Sequence, residues 1–99
     1  MATVDAILIS QAKLARRMTT SAFDTEVERL LGAALLDLGV AGVEVPETLD
    51  PLVETAAITY FLMHFGEPDQ YDRLKASYDE QKAQLQTATG YTDWGITNG

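Results

Sequence analysis

Apolar residues fall along the chain in blocks with helical spacing, separated by short stretches rich in Gly, Pro, Thr and Asp. In the first block Val4, Ile7, Leu8, Leu14, Ala15 and Met18 fall on one helical face, which predicts a helix over 4–18. "TTSAFDT" then breaks the pattern with residues that favour caps and turns. The second block is sharper: Val27, Leu30, Leu31, Ala34, Leu35 and Leu38 repeat at i, i+3, i+4 and i+7 and predict a helix over 24–38. Thr25 and Glu28 have capping-box spacing, and Asp24 is an alternative N-cap. Gly39 fits the left-handed position just past the helix end.

The connection "VAGVEVPET" alternates apolar and polar positions at Val43, Glu44 and Val45, but it is too short to support a sheet alone. A third helix starts at "DP", where Asp50 can cap and Pro51 loses nothing by lacking an N–H. From Ala56 to Phe65 this helix is apolar on nearly every side. It must therefore be surrounded, by its own fold or by neighbouring copies. Gly66 and Pro68 end it at about residue 65.

The fourth block, 69–88, has a thin stripe of Tyr71, Leu74, Tyr78, Leu85 and Ala88, interrupted by Gln81. Asp69–Arg73, Asp72–Lys75 and Asp79–Lys82 are spaced for helical ion pairs. Its length corresponds to a rod of about 30 Å, long beside an expected radius of gyration of about 13 Å. Such a rod is expected to project or to pack on another chain. The expected fold is therefore all-α: a compact bundle of about four helices (4–18, 24–38, 51–65 and 69–88) with a C-terminal tail. Residues 1–89 form the helical domain and 90–99 the tail.

Charge narrows the function classes. The net charge is −8, and from residue 24 onward fourteen acids face four bases, Arg29, Arg73, Lys75 and Lys82. Free-standing nucleic-acid binders show the opposite balance, because neutralising phosphates takes Lys and Arg. Lys13, Arg16 and Arg17 form a basic cluster near the end of the first helix, where positive charge suits the helix dipole. The absence of cysteine excludes thiolate chemistry and disulfides and fits a reducing cytoplasm. "VDAILIS" is too short for a signal peptide and no basic residues precede it. No run approaches the roughly 18 apolar residues of a membrane span.

Candidate chemistry is sparse. His64, the single histidine, lies in "FLMHFG" with no cysteine or serine motif to serve, so a partly buried structural role is expected. Acids sit at helical surface spacing rather than at ligand spacing, so no metal site is expected. "GVAG" at 39–42 lacks the Lys-Ser/Thr of a phosphate loop and reads as a helix stop and turn. No catalytic constellation and no cofactor site emerges. The tail "TATGYTDWGITNG" is unusual in holding the single tryptophan, Trp94, with Tyr91 nearby. Two readings stand: an arm that anchors on a partner through Tyr91, Asp93 and Trp94, or a lid in which Trp94 folds back on its own helices.

Three stretches together resemble a known family: "RRMTTSAFDTEVERLLGAALLDLGVAGV" (16–43), "DPLVETAAITYFLMHFGEPDQYDRLKASYDEQKAQL" (50–85) and "TGYTDWG" (89–95). The order "TTxAFD", "DLGxAGV", "DPLxxxAxxxY", "YDRLKxSYDxQKxQL", "GYTDW" is similar to that of the small helical head–tail connectors of long-tailed bacteriophages and prophages of Gram-positive bacteria. These are also called head-completion or DNA-packaging proteins. The likeness covers about residues 16–95. Met18 departs from it, standing where an aliphatic residue leading into "TT" is expected.

The resemblance implies a structural protein, not an enzyme. It implies a ring of roughly a dozen copies beneath the portal, extending the DNA channel and receiving the stopper or tail-completion protein. DNA would pass through the lumen without specific binding, helped by the acidic balance. The implied location is the virion head–tail junction, with assembly in the host cytoplasm and no membrane involvement. Arg16, Arg17, Tyr71, Leu74 and Tyr78 are the expected subunit-interface residues, with the basic cluster of one copy facing acids of the next. The C-terminal segment would engage the portal. A rival from another class is a small acidic helical regulator, or DNA mimic, that binds a basic partner protein.

Overall fold

The computed structural model describes residues 4–43, 51–65 and 70–87. These residues form an all-α bundle of four helices: α1 Ala6–Ala15, α2 Asp24–Val40, α3 Pro51–His64 and α4 Tyr71–Thr87. Glu44–Asp50, the stretch 66–69, and the tail from Ala88 lie outside the described residues, as do the expected Asp50 cap and the Asp69–Arg73 pair.

Local chemistry sets the helix ends, in places differently from expectation. The α1 N-cap is Asp5, whose Oδ1 accepts the Leu8 N–H at 2.8 Å. At the other end Arg17 takes a left-handed backbone, φ 60°. Met18 N–H donates to Lys13 C=O at 2.8 Å and Arg17 N–H to Leu14 C=O at 3.0 Å. This is a Schellman motif built without glycine. The α2 C-terminus repeats it with Gly42 at φ 96°, as Val43 N–H reaches Leu38 C=O at 2.9 Å. The expectation that Gly39 stops the helix is corrected, because α2 runs on to Val40 with Gly39 inside it. Burial of Val43 at 3% exposure accounts for the register, since the motif brings that side chain back onto the bundle.

The N-terminus of α2 also departs from the capping-box expectation. Its N-cap is Phe23, which makes no side-chain cap bond, and Asp24 is already the first helical residue. The Asp24 carboxylate is drawn instead to Lys13 Nζ at 2.8 Å, an ion pair from α1 to α2.

Packing assigns the faces. In α1 the buried residues are Leu8 and Ala12, while Ile7 is 65% and Leu14 77% exposed. Of the expected stripe, Leu8 is buried and Val4 and Met18 pack against the core, whereas Ile7, Leu14 and Ala15 face outward. Apolar residues surround α1, so periodicity leaves its face open, and α2 and α3 choose it. Helix α3 lies against α1, α2 and α4. Val53, Ala56, Ala57 and Phe61 are fully buried within it, so the chain's own helices account for much of its apolar surround. Thr59 is also buried, and its hydroxyl donates to Thr55 C=O at 2.9 Å, which makes the burial tolerable.

Helix α4 does not project. It packs along α3 through Tyr78 and Leu85, with Leu74 half-buried. Its expected Asp72–Lys75 and Asp79–Lys82 pairs are replaced: Lys75 reaches Asp79 at 2.8 Å, and Lys82 crosses to Asp37 of α2 at 3.3 Å. Among the described residues no helix is long and apolar enough to cross a membrane.

Candidate functional site

Among the described residues, no three His, Cys, Asp or Glu side chains gather where they would hold a metal ion. His64 is exposed rather than partly buried, standing 4.4 Å from the Tyr60 ring and 6.3 Å from that of Tyr71. Three surface features stand out among the described residues.

The first surface is the corner where α1 ends, α2 begins and α3 ends. The basic cluster expected to face a neighbouring copy is partly used here inside the chain. Lys13 pairs with Asp24, and the Arg16 guanidinium lies over the Phe65 ring at 5.5 Å. Phe65 also meets Phe23 edge-on at 5.8 Å and Phe61 at 5.1 Å. Arg17, in its left-handed backbone conformation, is exposed. Of the basic cluster, Arg17 thus remains the one most open to an outside carboxylate.

The second feature joins α4 to the rest. Tyr78 Oη donates to Asp37 Oδ2 at 2.6 Å, and Lys82 Nζ lies 5.0 Å over the Tyr78 ring. Gln86 Nε2 donates to Ala41 C=O at 2.7 Å, closing the C-terminal end of α2 against α4. Burial first, then the hydrogen bond to Asp37, pushes the Tyr78 hydroxyl pKa far up. An aromatic run leads outward from it, as Tyr60 meets Tyr78 at 5.4 Å and His64 carries the run to Tyr71. Of the three expected interface residues on α4, Tyr71 is 39% exposed, Leu74 is half-buried, and Tyr78, 3% exposed, serves this chain's own core.

The third feature is a pair of outward aliphatic patches. Leu36 is 57% and Val40 81% exposed, one turn apart on α2. At about 100° per residue they face away from Val27, Leu31 and Leu38. Ile7 and Leu14, two turns apart, do the same on α1. The two patches lie on different helices and point away from different packed faces. Sequence reading placed Ile7 and Leu14 in the core and did not single out Leu36 and Val40, although both fall outside the Val27–Leu38 stripe. Asp37 was also missed. Its signal was an acid near a helix C-terminus, where the dipole disfavours it unless partners compensate.

Tyr91, Asp93 and Trp94 lie outside the described residues. No family model matches the chain, nor does any curated protein or solved structure.

Proposed function

We propose that this chain is a head–tail connector subunit of a tailed bacteriophage or prophage. It assembles head-to-tail into a ring beneath the portal and extends the channel through which DNA passes. The observation that carries this reading is the pair of separate aliphatic patches, Ile7/Leu14 on α1 and Leu36/Val40 on α2. A ring needs two different patches on each subunit, because a heterologous contact joins unlike surfaces. The order of sequence blocks that resembles the connector family supports the same reading.

The patches are small. A stable interface buries about 800 Å² on each partner, more than two pairs of aliphatic side chains supply. The reading therefore takes the isolated subunit to be a monomer whose ring is templated by the portal. The C-terminal segment, with Tyr91, Asp93 and Trp94, contributes portal contacts of the aromatic kind that dominate interface energetics. The acidic excess keeps DNA moving, since like charge discourages phosphate contacts.

Mass measurement and negative-stain imaging, with and without a portal encoded beside the chain, test this. Rings that form on the portal and fail to form when Leu36 and Val40 are both changed to Lys support it. A chain that stays monomeric with every neighbouring portal overturns it. The net charge of −8 favours a second reading, an acidic regulator that binds a basic partner. That reading predicts a monomer or dimer, a tight one-to-one complex and no ring.

A further inference from the structure

Between the start of α3 and the end of α4 lies an open, mostly apolar groove lined by Leu52, Thr55, Gln81, Gln84 and Leu85. Its volume is about 120 Å³. A dry apolar cavity of about 150 Å³ holds a whole benzene molecule; this groove is smaller but open to one side, so it takes the edge of an aromatic ring with the remainder over its rim. Leu52 on its rim is 59% exposed, an apolar side chain without full cover. One polar atom in the groove wall is out of balance. Gln81 Oε1 is buried and accepts no hydrogen bond. A buried carbonyl oxygen left without a donor is destabilising, so the site favours an occupant that brings one.

We propose that Trp94 of the same chain occupies this groove in the unassembled subunit, its indole ring between Leu52 and Leu85 and its Nε1–H donating to Gln81 Oε1. Three observations select this occupant. The groove is formed by the last turns of α4, which ends at Thr87, and twelve residues, 88–99, follow directly. Trp94 is seven residues beyond Thr87, a span of up to about 23 Å when extended, ample to return two turns along the helix. Gly90 and Gly95 flank the Tyr91–Trp94 stretch and permit the reversal of direction. Finally, an indole matches both demands of the site, being a flat apolar ring that carries a donor and no acceptor. The other adjoining segment, "EVPETLD" (44–50), has no aromatic ring, and its side chains offer one hydroxyl donor, that of Thr48.

This inference does not rest on the connector reading and is tested without a portal. As Trp94 is the single tryptophan, its fluorescence reports on the site alone. In the full chain, emission should be blue-shifted and acrylamide quenching several-fold weaker than for N-acetyl-tryptophanamide. Both should be unchanged on dilution. Leu52→Asp places a charge on the exposed rim, so the helical circular dichroism should be retained while emission shifts red and quenching rises to the free level. Gln81→Met, which removes the acceptor but keeps the volume, should give an intermediate loss of protection. Free quenching in the unmodified chain overturns the proposal, as does protection that survives Leu52→Asp. Protection lost on dilution overturns it too, by assigning the groove to the arm of a second copy.

Discussion

The Tyr78 hydroxyl lies 2.6 Å from the Asp37 carboxylate, tying α4 to α2 across forty-one positions of chain. Asp37 stands near the end of α2, where the helix dipole disfavours an acid, and Tyr78 and Lys82 together offset that. Hydrogen bonds to a charged group contribute about 1.5–3 kcal/mol, and partial solvent access places this one at the lower end. Tyr78→Phe should therefore lower unfolding stability by about 1.5 kcal/mol in urea titration. Asp37→Asn, which keeps an acceptor and removes the disfavoured charge, should cost less.

The same bond predicts an alkaline limit. Tyr78 has its pKa raised from an ordinary 10.0 by burial and by Asp37. The folded state thus holds its phenolic proton where the unfolded state has released it. Stability from this group is complete below pH 10 and falls as pH rises above it. Urea midpoints measured from pH 8 to 11 should decline above 10. In Tyr78→Phe the decline should be shallower, and an identical slope would assign it to other groups.

Arg17 adopts a left-handed backbone that costs an ordinary residue about 1–2 kcal/mol. Glycine removes that strain but gains freedom in the unfolded chain. Arg17→Gly should therefore raise stability by about 0.5–1 kcal/mol. Gly42→Ala, the reverse exchange at the matching position of α2, should lower it by about 1–2 kcal/mol. Thermal melts of the two variants should move in opposite directions.

Leu36 and Val40 project from the bundle, so changing both to Lys should alter monomer stability by no more than about 0.5 kcal/mol per site. A loss of several kcal/mol in circular dichroism melts would mean that part of this chain covers them. Their effect on ring formation is then a clean reading of self-assembly.

The regular elements were legible because Val27, Leu30, Leu31, Ala34, Leu35 and Leu38 repeat at one period, and because Pro51 starts a helix in the way its ring dictates. The faces of α1 were not. Ile7, Leu8 and Ile9 are consecutive apolar residues, and only contact with α2 and α3 separates buried Leu8 from exposed Ile7. Helix ends were misread where a tertiary contact outweighed a local one. Asp24 leaves its capping role for Lys13, and buried Val43 moves the turn from Gly39 to Gly42. Of the candidate site, the aromatic tail was visible as an anomaly, whereas the orphan carbonyl of Gln81 was visible only as a break in a stripe.

Helix α3 touches all three other helices and buries six residues, whereas α1 and α4 each bury two. Such unequal burial means unequal local opening, since segments with few buried contacts detach at less than the global cost. Helix α1 is held by buried Leu8 and Ala12, half-buried Ile9, the Lys13–Asp24 pair and the Arg16–Phe65 contact, the last two near the surface, so it should be the first to peel away. Its amides should exchange with deuterium well before those of α3. When α1 lifts, it uncovers the α2 and α3 side chains it covered. The cohesive surface this protein presents is therefore partly kinetic, a face shown only for as long as its shortest helix is away.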